Sequence, residues 1–586
     1  MNINLMNPLK KILNFFSKIN FVCGAQFRSK ILIIFLFLFT LSFLELAGLG
    51  LFVAFVLSIF GKQEFIMNSI PYFQYINLNY LMILLLASYT LKLILSIYFN
   101  NKIYSYLFQI HFKLSQFLVS SYIKKPYSYF TKVNSSIIVR NVYSEVGIFT
   151  HQIILAISYV ITDLILIFGI FILLAKNDFF STIIVSLILT SFFLIFSFLS
   201  KPFLKKWGEI LVKQKFYIHN SLKETFSSIK EIKIFNIENF FINRYSISLS
   251  EYSKAQKKQI SHSQMPKFFF EYIVVIIFLI IINLFNLRGL SDDQIFSNFA
   301  LFAAASLRLM PCFSRIANQF QSIVFYKPSV DILYEEFKII SKDNKKKTII
   351  ENEIKTIKTN RIVFKKTINL KDISMSYSGR NILNNINLIL KKNNILGIFG
   401  QSGEGKTTLI DIICGIIKPT GGKILIDNKY DIGNSLYKKE WLNKIGYVTQ
   451  DIYLLNDTIK SNILYGDAKF DNNKLQKVLK MSQLNNFIDN LKFKENTLVG
   501  ENGIDFSGGQ KKRLAIARAL YREPELIIFD ETTSSLDLQN EKKIFKMLNE
   551  LKNGRCVIIV SHSKKTLEYC DKVFEVKNFK VQEIFN

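Results

Sequence analysis

Residues 31–60 run for thirty positions with a single ionisable side chain, Glu45. An α-helix rises 1.5 Å per residue and the hydrocarbon core of a bilayer is about 30 Å thick, so about 20 apolar residues cross it. The run therefore predicts a membrane-spanning helix. Five more apolar stretches, near 79–99, 148–175, 179–200, 268–287 and 294–324, complete an all-α transmembrane domain of six helices, the last being the least apolar. Six crossings return both chain ends to one face. Lys and Arg gather in the N-terminal arm and in segments 101–140 and 201–267, and positive charge marks the cytoplasmic face. Those two segments are long, polar and helical in pattern, which predicts membrane helices that continue beyond the bilayer toward a cytoplasmic domain.

A net charge of +30 and a pI of about 9.6 would suggest a nucleic-acid partner in a soluble protein. Here the basic residues fall in the cytoplasmic segments and no motif for reading RNA or DNA accompanies them, so no nucleic acid is expected. Cys23, Cys312, Cys414, Cys556 and Cys570 show neither metal-ligand spacing nor a paired framework and read as reduced thiols. Around Lys10, Lys11 and Lys18 there is no compact apolar core with a small-residue cleavage site, so the first apolar run is expected to be retained. Within the spans, Glu45, Lys92, Asp163, Glu271 and Arg308 each carry an insertion cost of about 2.5–3.5 kcal/mol near the bilayer centre. Two explanations stand: a polar cavity facing an anionic or sugar-bearing ligand, or internal ion pairs and snorkelling at helix ends.

A lysine-rich stretch from Ser341 belongs to an expected linker over 337–366, which sets the transmembrane domain at 1–336 and a second domain at 367–586. In that second domain short β-rich runs alternate with helices, as a parallel α/β sheet requires. The run NNILGIFGQSGEGKTT ends a predicted strand at Phe399 and sets Gly400, four residues, Gly405, Lys406 and Thr407 in the spacing of a phosphate-binding loop. Backbone N–H groups must approach phosphates closely there and lead into a helix N-terminus, which calls for residues without side chains such as Gly403 and Gly405. Lys406 is expected at the β- and γ-phosphates and the Thr407 hydroxyl at Mg²⁺, with Ser402 and Thr408 in the same nucleotide-binding run. The strand ELIIFDE ends in Asp530, placed to hold the Mg²⁺ shell, and Glu531, placed to orient and deprotonate water. Ser507, Gly508, Gly509 and Gln510 open another predicted helix, again an anion-binding geometry.

The order of phosphate loop, Gln450, SGGQ at 507–510, FDE at 529–531, SSLD at 534–537 and His562 resembles the ABC ATPase family over essentially all of 367–586. The resemblance makes the second domain an α/β P-loop NTPase with ATP and Mg²⁺ as cofactors. It implies that Tyr377 stacks on adenine, that Gln450 senses the γ-phosphate and the membrane domain and joins the metal shell, that His562 contacts the γ-phosphate, and that Asp537 links two sites. It also implies a dimer, because in the family the SGGQ segment completes the ATP site of the opposite subunit; the partner is a second copy or a paired half-transporter. Phe506 stands where the family usually has Leu, and Asn502 where its exporters often carry Arg; neither is expected to touch phosphate. With Asp530 and Glu531 both present, the sites are expected to hydrolyse ATP.

A membrane domain fused ahead of its ATPase is similar to the exporters of this family. The runs FLELAGLGLFV, KKPYSYFTKVNSSIIVRNVYSEV, IKEIKIFNIENF and LRLMPCFSRIANQFQSIVFYKPSVDILYEE resemble bacterial exporters that flip lipid-linked oligosaccharides or related glycolipids, through most of 30–336. That likeness implies a multi-pass protein of the bacterial inner membrane with its ATPase in the cytoplasm. It would move an amphipathic lipid-linked substrate outward by alternating access among membrane lipids. Segment 62–77 would form an external helix, Lys92 and Arg308 would attract a pyrophosphate head group, and loops 126–134 and 220–236 would transmit closure. The rival expectations are an exporter of peptides or amphipathic drugs, and an ATP-gated regulator or channel. The absence of a peptidase-like extension with a catalytic Cys and His weighs against dedicated peptide secretion, and six spans weigh against a soluble ATPase of translation or repair.

Overall fold

The computed structural model describes residues 8–59, 78–289, 292–355, 362–377, 379–433, 435–467, 469–531, 548–562 and 567–584. Segment 62–77, Asp537 and part of the expected linker therefore lie outside the described residues. The chain divides into two compact units, Met1–Lys125 with Phe130–Lys347, and Pro126–Tyr129 with Thr348–Asn586.

The first unit is helical. A short amphipathic helix α1 (Pro8–Cys23) precedes α2 (Ala25–Ile59), α3 (Leu78–Ile123), α4 (Leu155–Asn177), α5 (Phe179–Ser227), α6 (Glu238–Leu287) and α7 (Asp292–Lys355). Among the described residues five stretches, Ala25–Val56, Leu78–Ile123, Ser135–Lys176, Phe179–Ser227 and Glu238–Leu287, are long and apolar enough to cross a membrane. The sixth expected span falls within α7. Helices α3, α5 and α6 have 46, 49 and 50 residues, a length of roughly 70–75 Å at 1.5 Å per residue and more than twice the hydrocarbon thickness. Their Lys-rich halves must therefore stand in water. Helix α7 runs on to Lys355, so helix occupies most of the segment expected as a linker. KDNKKKTIIENEIK contains no Gly or Pro to stop it.

Helices α2, α4, α5, α6 and α7 enclose an apolar core that includes Leu49, Leu166, Phe270, Phe285 and Phe313. Close helix contact in a membrane depends on small residues. Gly169 on α4 faces Leu46 on α2, where an added Cβ would stand 2.5 Å from Cδ1. Gly208 on α5 lies against α7, where a Cβ would stand 2.0 Å from the Phe325 carbonyl oxygen. Between α3 and α4 the helical path contains two π-helical stretches, Arg140–Glu145 and Phe149–Ile154.

The second unit contains two sheets. Its strands are β1 (Thr367–Tyr377), β2 (Arg380–Lys391), β3 (Ile395–Phe399), β4 (Gly421–Ile426), β5 (Tyr430–Asp431), β6 (Ile445–Val448), β7 (Leu526–Asp530), β8 (Cys556–Val560), β9 (Lys572–Lys577) and β10 (Lys580–Ile584). One sheet has the order β10-β9-β3-β8-β7-β6 and is parallel except for the β9–β10 hairpin. Strands β7 and β8 are buried along their whole length, as strands covered on both faces must be. The expectation of a parallel sheet missed the other, antiparallel sheet β2-β1-β4-β5. Only residues 378 and 379 separate β1 from β2, too few for the crossover that a parallel pair needs.

Candidate phosphate-binding and catalytic site

The carboxyl ends of β3, β7 and β8 carry the site, where an open α/β sheet places its ligands. Strand β3 leaves the sheet at Phe399 and turns into helix α8 (Lys406–Ile413). Gly405 has φ 96°, and a Cβ there would stand 2.9 Å from Ile382 Cγ2. A Cβ on Gly400 would stand 2.5 Å from the Val576 carbonyl oxygen, so the loop's path demands glycine. Gly403 also has positive φ, and Ser402, Gly403 and Thr407 are exposed, with Thr408 half-buried in the first turn of α8. The buried Lys406 ammonium donates to the carbonyl oxygens of Gly400 and Gln401 at 2.8 Å each. It thus spans the loop that phosphate oxygens would enter. Burial lowers its pKa, while the carboxylates of Glu531, Asp530 and Glu404 act the other way.

Strand β7 delivers two carboxylates with separate partners. Asp530 is buried at the strand end and its Oδ2 accepts a hydrogen bond from the Tyr447 hydroxyl on β6 at 2.8 Å. Glu531 adopts φ 51°, a left-handed conformation that a non-glycine residue holds only where its surroundings impose it, commonly at active sites. Its N–H donates to the Val560 carbonyl at 3.0 Å. Its Oε2 accepts from Gln450 Nε2 at 2.8 Å and its Oε1 meets His562 Nε2. The chain just after β6, β7 and β8 thereby brings Gln450, Glu531 and His562 into one constellation.

Burial raises the Asp530 pKa most, with Glu531 adding to it, while Tyr447, Lys406 and His562 pull it down. On α8, burial and the neighbouring Asp530 charge push the Asp411 carboxyl up to about 6. Neither Tyr447 nor Asp411 was singled out by the motifs; a tyrosine on the strand beside the acid pair was the available signal. The donor set fits Mg²⁺: Asp530, the Thr407 hydroxyl and the Gln450 amide offer hard oxygens. Among the described residues no group of three or more His, Cys, Asp or Glu could hold a metal. That suits an ion held by one or two carboxylates plus substrate phosphates.

Tyr377 ends β1 and is 38% exposed. Ser507 caps helix α9 (Gly508–Tyr521): its Oγ accepts from the Gln510 N–H at 3.3 Å and its own N–H donates to Gln510 Oε1 at 2.8 Å. Among the described residues no hydrogen bond joins Ser507–Gln510 to the phosphate loop. Phe506 packs on Phe487 with ring centroids 5.6 Å apart. In the membrane unit, Arg308 donates to Glu45 at 2.7 Å, Lys92 lies 3.6 Å from Glu45, and Arg315 Nε donates to Asp163 at 2.6 Å. Ion pairing thus accounts for four of the five intramembrane charges; Glu271 is exposed on α6, and Arg315 was not foreseen.

Residues 383–534 match the family model described as ABC transporter. The chain is 36% identical over 208 residues to the ATP-dependent lipid A-core flippase of Ralstonia nicotianae, a match covering 35% of each chain. It is 40% identical over 203 residues to the alpha-hemolysin translocation ATP-binding protein HlyB of Proteus vulgaris, covering 34% of this chain and 28% of the relative. These matches span about a third of the relatives' length. The solved structure of a bacterial Atm1-family ABC exporter with ATP bound superposes with a TM-score of 0.75 over 96% of this chain and 95% of the other at 18% identity, so the chain has that fold.

Proposed function

We propose that this chain, which carries an ABC transporter ATPase domain on the fold of an exporter, is a half-transporter that hydrolyses ATP and moves an amphipathic, anionic lipid-linked substrate outward across the inner membrane. The convergence of Gln450 and His562 on Glu531 is the observation that carries the catalytic part. Glu531 would take a proton from water while Gln450 and His562 hold its carboxylate in place and face the terminal phosphate. Lys406 and the N-terminus of α8 would bind the phosphates, and Tyr377 would stack on adenine. Bound Mg²⁺, held by Asp530, Thr407 and Gln450, would neutralise charge on the phosphates. Ser507–Gln510 and Asp537 would complete the site of a second chain, since the SGGQ helix terminus bonds internally and leaves its outer N–H groups for an anion.

The cargo reading rests on charge. Glu45 and Asp163 pair with Lys92, Arg308 and Arg315 and, with Glu271, the six span charges cancel, but the Arg308 and Arg315 side chains stay 33% and 43% exposed against 22% and 3% for Glu45 and Asp163. Cations that stay accessible within the spans are retained at a cost and favour an anionic head group. The test is ATP turnover in lipid nanodiscs with and without a polyprenyl-pyrophosphate oligosaccharide extract. Stimulation of the wild type, reduced in Arg308→Gln and Arg315→Gln, is the expected outcome. Unchanged turnover would overturn the cargo reading and direct attention to the peptide alternative, in line with the toxin-translocation relative.

A further inference from the structure

Helix α1 is docked on the first unit through its C-terminal half. Lys18 Nζ bonds Asp331 on α7 at 2.7 Å, Phe21 packs edge-on against Tyr334, and Ile19, Val22 and Cys23 are buried. Together with the starts of α2 and α4 and Ile154 just before α4, the helix lines an open cavity of about 650 Å³, whose wall includes Ile19 and Cys23. The volume lies within the roughly 300–1,000 Å³ of small-molecule sites. Phe16, Ile31, Phe35, Ile157 and Ile161 supply apolar walls, and Leu13, at the same cavity, is 68% exposed.

Ionic charge in the lining is confined to one residue. Arg28, at the turn from α1 into α2, donates from Nε to Asn20 Oδ1 at 3.1 Å, which fixes its guanidinium at the rim with further N–H groups unspent. Among the residues that line the cavity Arg28 is the only ionised one. The cavity uses the starts of α2 and α4, the ends of those spans on the Lys-rich face, so it opens at the level of the cytoplasmic leaflet. An amphipathic helix lying there with a basic polar side is the form of an interfacial anchor.

We propose that this cavity binds a phosphate-bearing phospholipid of the cytoplasmic leaflet, with an acyl chain along the apolar walls and the phosphate on Arg28. Charge complementarity selects the occupant: a cation over an apolar slot, with no acid to repel a phosphate, prefers an anionic lipid over a zwitterionic one. The inference rests on the membrane placement of the chain and is independent of the cargo.

Native mass spectrometry of the full chain released from nanodiscs of equal phosphatidylglycerol and phosphatidylcholine tests it. Retained lipid is expected to be enriched in phosphatidylglycerol. Arg28→Gln should erase about tenfold of that preference, the loss of one charge-assisted bond. Ile157→Trp, which fills the slot, should remove the retained lipid altogether. A wild-type thermal unfolding midpoint for the membrane unit of each variant, followed by helical circular dichroism in detergent, shows that it is folded. An unchanged lipid ratio in Arg28→Gln, or undiminished lipid in folded Ile157→Trp, would overturn the proposal. So would a site filled only when a polyprenyl phosphate is added and emptied by ATP with vanadate, which would assign the cavity to the transported molecule.

Discussion

Tyr447 holds one oxygen of Asp530, so the phenol orients the carboxylate that would meet the metal. Outer partners of this kind typically change metal affinity by 10- to 100-fold. Tyr447→Phe is expected to raise the Mg²⁺ concentration for half-maximal ATP turnover about tenfold and to leave metal-free nucleotide binding intact, which a Mg²⁺ titration beside an EDTA binding curve measures. Asp411 gives a pH prediction. Its carboxyl is pushed from 3.8 to about 6 by burial and by Asp530, so the charged form is penalised in the folded state. The penalty is absent below the unfolded value and complete above the folded one. Asp411→Asn should therefore stabilise the chain near neutral pH by about 1 kcal/mol, allowing for partial exposure. The gain should fade as pH falls through 6 toward 4, as thermal midpoints at several pH values would show. The glycines, Lys406 and the acid pair were legible because phosphate chemistry fixes their spacing. Tyr447 and Asp411 were not, because their roles arise from strands and helices brought together across the fold.

Strand and helix identity was largely written in local pattern. The four apolar residues of β7 ahead of Asp530, the five of β8 and the long apolar helices follow from burial on all sides, whereas the antiparallel sheet depended on the two-residue connection between β1 and β2. The segment expected as a linker is helical for a local reason: a Lys- and Glu-rich run without Gly or Pro continues a helix at little cost, and α7 extends to Lys355. Contacts between helices could not be read from pattern. Gly208→Ala would drive a Cβ into the Phe325 carbonyl and is expected to destabilise the α5–α7 contact by about 1–3 kcal/mol, the range for overpacking. Gly50→Ala, where a Cβ meets nothing within 4 Å, is the neutral control, and thermal unfolding in detergent compares the two. Ser507→Ala removes the α9 cap and should cost about 1 kcal/mol.

At the scale of the whole molecule, the ATP site is proposed to be shared between two chains. A chain with Glu531→Gln and a chain with Gly509→Asp should each be inactive alone. In an equal mixture, half the dimers would hold one site free of both defects, so roughly a quarter of wild-type turnover should return if sites act independently. A site completed within one chain would leave the mixture inactive. The central claim, that Glu531 drives ATP hydrolysis beside the phosphate loop, is tested most directly by ATP turnover in nanodiscs for the wild type and Glu531→Gln. The account predicts that the variant keeps bound ATP and loses turnover by at least about 100-fold, the contribution of a positioned base. Equal turnover in the two proteins would contradict it.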